Sequence, residues 1–235
     1  MRFWEIDFLR GIAILMMVVF HFLWDLNYFK IVEISLYTGF FGLFQKSIAV
    51  LFLLIVGVIL VISYNKDKKE FWRQSISRGI FLAIIAFSIT ALTLVAFPKQ
   101  FIYFGILHLI SLSILFSIYT IRMKVFNLFF GILLLILPFF QIHKLGIYEL
   151  NFFGIGTPLA SLDFYPIIPW YGVVLIGLFL GHYFYPDNQP KIKKLADPNS
   201  FFTNKIQFLG KHSLIIYLVH QAVLFPLVFA LSMVI

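Results

Sequence analysis

Seven long apolar runs, separated by short polar or glycine- and proline-bearing connections, dictate the solvent this chain must fold in. They lie at about Ile6 to Leu26, Gly39 to Tyr64, Gly79 to Phe97, Phe101 to Ile121, Val125 to Phe140, Pro166 to Tyr185 and Gly210 to Val234. A helix needs about 20 mostly apolar residues to cross the hydrocarbon of a bilayer, so 235 residues have room for about seven spans. Only 12% of the residues are charged, against roughly 25% in an ordinary soluble domain. The expectation is an all-α polytopic membrane helix bundle of about seven transmembrane helices, a single domain over residues 1–235.

The charges between the runs set the expected orientation. With the N-terminus cytoplasmic, only Lys30, Lys46, Lys99 and Lys144 lie outside, and the other fourteen of the eighteen Lys and Arg residues lie inside. Such an excess is what the positive-inside rule requires. The net charge of +8 therefore reads as topology; it forms no continuous basic stripe of the kind that binds nucleic acid. Arg2 and Arg10 come before an apolar stretch as in a signal peptide, but His21, Trp24 and Asp25 follow where a small-residue cleavage site would stand, so a retained first span is expected. The absence of cysteine excludes disulfides, thiolate catalysis and thiolate-bound metals. The plasma membrane is the expected location. Gln141 to Tyr165 reads as an ordered outer cap and Pro186 to Asn204 as an inner linker.

Ionisable groups at membrane depth are costly and mark candidate sites. Arg10 and His21 are eleven residues apart, three helical turns, so they point the same way, with Asp7 and Asp25 close to that stripe and Ile14 and Met17 between. On the last span Ser213, Tyr217, His220 and Gln221 share one face. His108 stands near the outer start of the fourth span, and Asp163 precedes a proline-broken start of the sixth that carries Trp170. The expectation is that His21, Asp25, His108, Asp163, Trp170 and His220 meet in the outer half of the bundle while basic groups gather at the inner end. An outer histidine beside a carboxylate suits a general base for a hydroxyl or amine. Inner Lys and Arg suit a phosphorylated donor.

Four stretches carry a family resemblance: Arg2-Phe-Trp-Glu-Ile-Asp-Phe-Leu-Arg-Gly11 leading to His21 and Asp25, Tyr103-Phe-Gly-Ile-Leu-His108, Asp163-Phe-Tyr-Pro-Ile-Ile-Pro-Trp-Tyr-Gly172, and Gly210-Lys-His-Ser-Leu-Ile-Ile-Tyr-Leu-Val-His-Gln221. In this order the chain resembles the heparan-alpha-glucosaminide N-acetyltransferase catalytic family. The resemblance implies a membrane acyltransferase that takes an acetyl or other acyl group from cytosolic acyl-CoA and delivers it to an acceptor, often a sugar, on the far side. His21, Asp25, His108 and Asp163 are then the catalytic candidates. Arg10, Arg78, Lys211 and His212 are candidates for the donor, and Trp170, His220 and Gln221 for the acceptor. No metal is expected. The lysosomal member differs in carrying asparagine at the place of His21 and its active histidine further on, where this chain has Lys30, Ile31 and Val32.

Each group also has a plainer role. His21 and His108 serve as interhelical hydrogen-bonding groups in that reading, Arg10 as an interfacial anchor, Asp163 as a cap of the sixth helix, and Trp170 as part of the aromatic belt. Gly177 and Gly181 form a small-residue pair for helix packing or a homodimer contact. Two other functions use the same residues: a proton-coupled solute transporter, and a haem protein with His21 and either His108 or His220 as axial ligands.

Overall fold

A computed structural model describes residues 3–140, 161–191 and 200–234. The described residues form eight α-helices: α1 Trp4–Tyr28, α2 Gly39–Lys66, α3 Phe71–Ala96, α4 Ile106–Thr120, α5 Val125–Ile136, α6 Ile167–Phe184, α7 Phe201–Lys211 and α8 Ser213–Ser232. Six helical segments are long and apolar enough to cross a membrane, α4 counting with the 3₁₀ turn that follows it; the fifth expected span, Val125–Phe140, is a shorter apolar helix. The all-α membrane architecture is as expected. Most of the expected cap Gln141 to Tyr165 and the middle of the linker Pro186 to Asn204 lie outside the described residues, as does Arg2.

Three boundaries differ from the sequence expectation. Helix α3 begins two turns before Gly79 because Arg73 and Arg78 project from an otherwise ordinary helical turn. Helix α4 begins at Ile106, not Phe101, since residues 101–104 run extended: Leu162 N–H donates to Gln100 O (2.9 Å) and Tyr165 N–H to Phe104 O (3.0 Å). The last expected span divides. Gly210 belongs to α7, the chain breaks at His212, and α8 starts at Ser213.

The chain divides into two compact units, one of residues 1–52 with 194–235 and the other of residues 53–193. The boundary falls within α2. In the first unit α1 packs against α7 and α8. Its core gathers Ile14, Met17, Phe20, Leu36 and Ile48, with Leu209, Ile216 and Tyr217 against them. Glu5 and Asp7 in the first turn of α1 complement the helix dipole. At its other end Lys30 adopts φ 58°, and Ile31 N–H returns to Leu26 O (2.9 Å), which terminates the helix.

The α1–α7 crossing sets the register of this unit. A Cβ on Gly11 would collide with the Ile206 carbonyl, and one on Gly210 with the Asp7 carbonyl. The two backbones therefore touch at reciprocal glycines, both buried. In the second unit α3 packs on α4, and α6 on α5 and α4. Gly177 and Gly181 of α6 lie against Leu54, Gly57, Val58 and Val61 of α2, so the small-residue pair serves helix packing within the chain.

Candidate functional site

The stripe expected on α1 is buried where it should be: Asp7, Ile14, Met17 and Asp25 are all buried, Asp25 at 0% exposure. All four polar residues expected on one face of α8 turn toward α1. Arg10 donates from Nη2 to Ser213 Oγ (2.6 Å), with Asp7 Oδ1 at 4.0 Å from its Nη1. Tyr217 joins the α1 core. The rings of His21 and His220 meet edge to face, centroids 4.7 Å apart. One turn further along α1, Gln221 Nε2 donates to Asp25 Oδ1 (2.6 Å). Thus α1 and α8 are joined by a charged contact near one end and a histidine, amide and carboxylate cluster toward the other.

The protonation pattern of that cluster follows from its bonds. His220 Nδ1 lies 2.6 Å from the Tyr217 carbonyl, so Nδ1 carries the hydrogen and donates it, leaving the Nε2 lone pair bare. Nε2 is buried and has no hydrogen-bond partner among the described residues, and the same holds for Asp25 Oδ2 and Gln221 Oε1. Buried polar groups are nearly always satisfied. These three acceptors lie close together on one pair of helices. Asp25 bonds Gln221, and the rings of His220 and Phe20 both pack on His21. The two histidine rings touch directly.

His108 and Asp163 sit in the second unit, at the start of α4. Asp163 caps α4 and not α6: its Oδ2 accepts from the Ile106 N–H at 2.9 Å, across 57 residues of sequence. A Cβ on Gly105 would occupy the place of that carboxylate. Burial pushes the Asp163 carboxyl up to about 6, partly opposed by the Ile106 N–H, which favours the charged form. His108 is buried and uses both ring nitrogens. Nδ1 accepts from the Gly105 N–H (3.2 Å), so Nε2 carries the hydrogen and meets Thr90 Oγ1 (3.3 Å), whose own hydroxyl donates to Ile102 O (2.7 Å). Trp170 stacks edge-on against Tyr165, centroids 5.0 Å apart, just past the non-helical Ile168 that the following proline imposes on α6.

The donor candidates divide between the two units, with Arg10, Lys211 and His212 in the first and Arg78 in the second. Arg10 is half-buried on α1. Lys211 and His212 are exposed at the α7–α8 junction, with His212 lying on the Phe208 ring at 4.4 Å. Arg78 lines a recess of about 520 Å³ on α3 together with Arg73, Gln74, Ser77 and Phe81. Among the described residues no three His, Asp or Glu side chains converge as metal ligands. Sequence reasoning missed two features. One is Thr90, which completes the His108 network; a lone threonine in an apolar run carries no signal. The other is the glycine crossing, although Gly11 and Gly210 each stand inside one of the quoted motifs.

Fold and site together define a multi-pass membrane protein whose first and last spanning helices share buried histidine and carboxylate chemistry. The family model for heparan-alpha-glucosaminide N-acetyltransferase, catalytic, matches residues 2–222, and the chain belongs to that family, whose members are membrane proteins of acetyltransferase type. No curated protein and no solved structure matches the chain.

Proposed function

We propose that this protein transfers an acyl group from cytosolic acyl-CoA, acetyl-CoA in the simplest case, to a sugar or glycan on the outer side of the plasma membrane, with its N-terminus cytoplasmic. The observation that carries the proposal is the set of three buried acceptors on α1 and α8: His220 Nε2, Asp25 Oδ2 and Gln221 Oε1. A ligand rich in hydroxyl or amine donors, such as a sugar, complements them. Family membership supports the transfer chemistry.

In this reading Arg10 faces the phosphorylated part of the donor, and Arg78, Lys211 and His212 add positive charge on the cytoplasmic side. His21 lies eleven residues beyond Arg10, roughly 16 Å along the helix axis, a separation that an extended donor spans with its thioester outermost. His21 removes the proton from the acceptor hydroxyl or amine as that atom attacks the thioester carbonyl. The C–S bond breaks, and the thiolate takes the proton back from His21, so the products are the acylated acceptor and free CoA. His220 and the Asp25–Gln221 pair hold the acceptor's remaining donors. An acyl-histidine intermediate on His21 is the other order of events, and mass spectrometry after incubation with donor alone distinguishes the two.

The first test is calorimetry of the purified chain with acetyl-CoA and longer acyl-CoAs. Binding is expected, and its absence at millimolar donor would overturn the reading. A proton-coupled transporter would instead show solute uptake into proteoliposomes driven by a pH gradient, with no CoA released.

A further inference from the structure

The ends of α2 and α6 and the turn between α4 and α5 enclose a pocket of about 310 Å³ that the acyl-transfer reading does not use. Lys68, Arg122, Lys124, His182 and Tyr64 line it, with Asp187 as the single carboxylate, so positive charge is in surplus. Lys68, Arg122 and Lys124 are exposed, and none is ion-paired among the described residues.

The walls are fixed by bonds between segments distant in sequence. His182 Nε2 donates to Ile121 O (2.7 Å), which holds α6 against the turn that carries Arg122. Asn65 Nδ2 donates to Tyr185 O (3.2 Å) and Asn188 Nδ2 to Ile62 O (3.3 Å), which hold the end of α2 against the chain leaving α6. Two of the lining residues, Lys124 and Asp187, have left-handed backbone (φ 44° and 47°). Non-glycine residues rarely adopt it, and it persists only where the surroundings enforce it. The pocket also stands at the ends of helices long and apolar enough to cross a membrane, where lipid headgroups are expected.

We infer that this pocket binds a phosphate group, held by Lys68, Arg122 and Lys124. A lipid headgroup and a soluble phosphorylated molecule both carry that chemistry; basic pockets between the ends of membrane helices commonly take the former.

The test uses the full chain in detergent and two probes. Native mass spectrometry measures adducts of phosphatidylglycerol against phosphatidylcholine, and calorimetry measures inorganic pyrophosphate. Both are repeated with the K68Q/R122Q variant and with K66Q/R73Q, which removes the same charge from neighbouring exposed positions. Weakening of at least one probe by about tenfold in K68Q/R122Q alone is expected. Loss of phosphatidylglycerol identifies a lipid site, and loss of pyrophosphate a soluble-ligand site. Equal binding of both probes by wild type and K68Q/R122Q overturns the inference, as does equal weakening in both variants. Because all four substituted side chains are exposed, each variant is expected to fold.

Discussion

At the start of α4, His108 gives both ring nitrogens to neighbours and Asp163 gives an oxygen to the backbone of Ile106, so the polar groups there complete a helix end. Between α1 and α8 the same residue types are arranged otherwise. His220 directs one nitrogen to its own helix and leaves the other bare, and Asp25 and Gln221 bond each other through one atom apiece and leave the second unmatched. A histidine near a carboxylate is thus not one motif. Where both histidine nitrogens are engaged and the carboxylate caps a helix, the residues hold a helix end in place. Where acceptors remain in excess inside a membrane, they define what a ligand must bring.

That contrast can be broken most decisively at His21. His21→Ala is expected to lower the transfer rate about 10²- to 10⁴-fold, the range for loss of a general base, while acyl-CoA binding and the thermal melting temperature stay near wild type. Parallel loss of melting temperature and activity would return His21 to the packing of α1. Next in size is the glycine crossing. Gly210→Ala forces a methyl group onto the Asp7 carbonyl and should cost roughly 1–3 kcal/mol of stability, seen as a lower melting temperature in detergent.

The α4 start should respond in stability and not in chemistry. Asp163→Ala removes a cap and is expected to cost about 1 kcal/mol; a transfer rate per folded molecule reduced as far as in His21→Ala would contradict the division drawn above. Its pH dependence has a definite sign. The carboxyl titrates near 3.8 when exposed and about 6 in the fold, so its stabilising contribution is complete below about 3.8 and is lost as pH rises through 6. Melting temperatures between pH 4 and 7 should fall with that profile in the wild type and flatten in Asp163→Asn, which keeps an acceptor for Ile106. The smallest effect is expected for Thr90→Val, which deprives His108 Nε2 of its partner at a cost of roughly 1 kcal/mol and leaves transfer per folded molecule unchanged.

Much of the first unit was legible because helical periodicity needs no knowledge of neighbours. The α1 stripe and the α8 face follow from spacing alone, and each side then proved to be the other's partner. The start of α4 was not legible in the same way. Phe101 to Phe104 are as apolar as a span, and only their pairing with residues 162–165 makes them extended. For the same reason Asp163 was read against the nearest helix in sequence, α6, although its bond crosses to α4. Helix α7 was not legible because its 11 residues are too few for a span, although the polar run Lys211-His212-Ser213 does mark the break before α8. The basic pocket was not legible because Lys68, Arg122 and Lys124 were counted as topology signals, and counting charges per side does not reveal which of them face one another.

The reciprocal contact of Gly11 with Ile206 and of Gly210 with Asp7 also limits how the first unit can move. With backbone against backbone and no side chain to flex, α1 can neither slide along α7 like a piston nor roll about its own axis. Helix α8 follows α7 after a single residue and is tied to α1 through Ser213. Motion of the first unit is then expected to carry α1, α7 and α8 together, with the spacing of His21 to His220 unchanged.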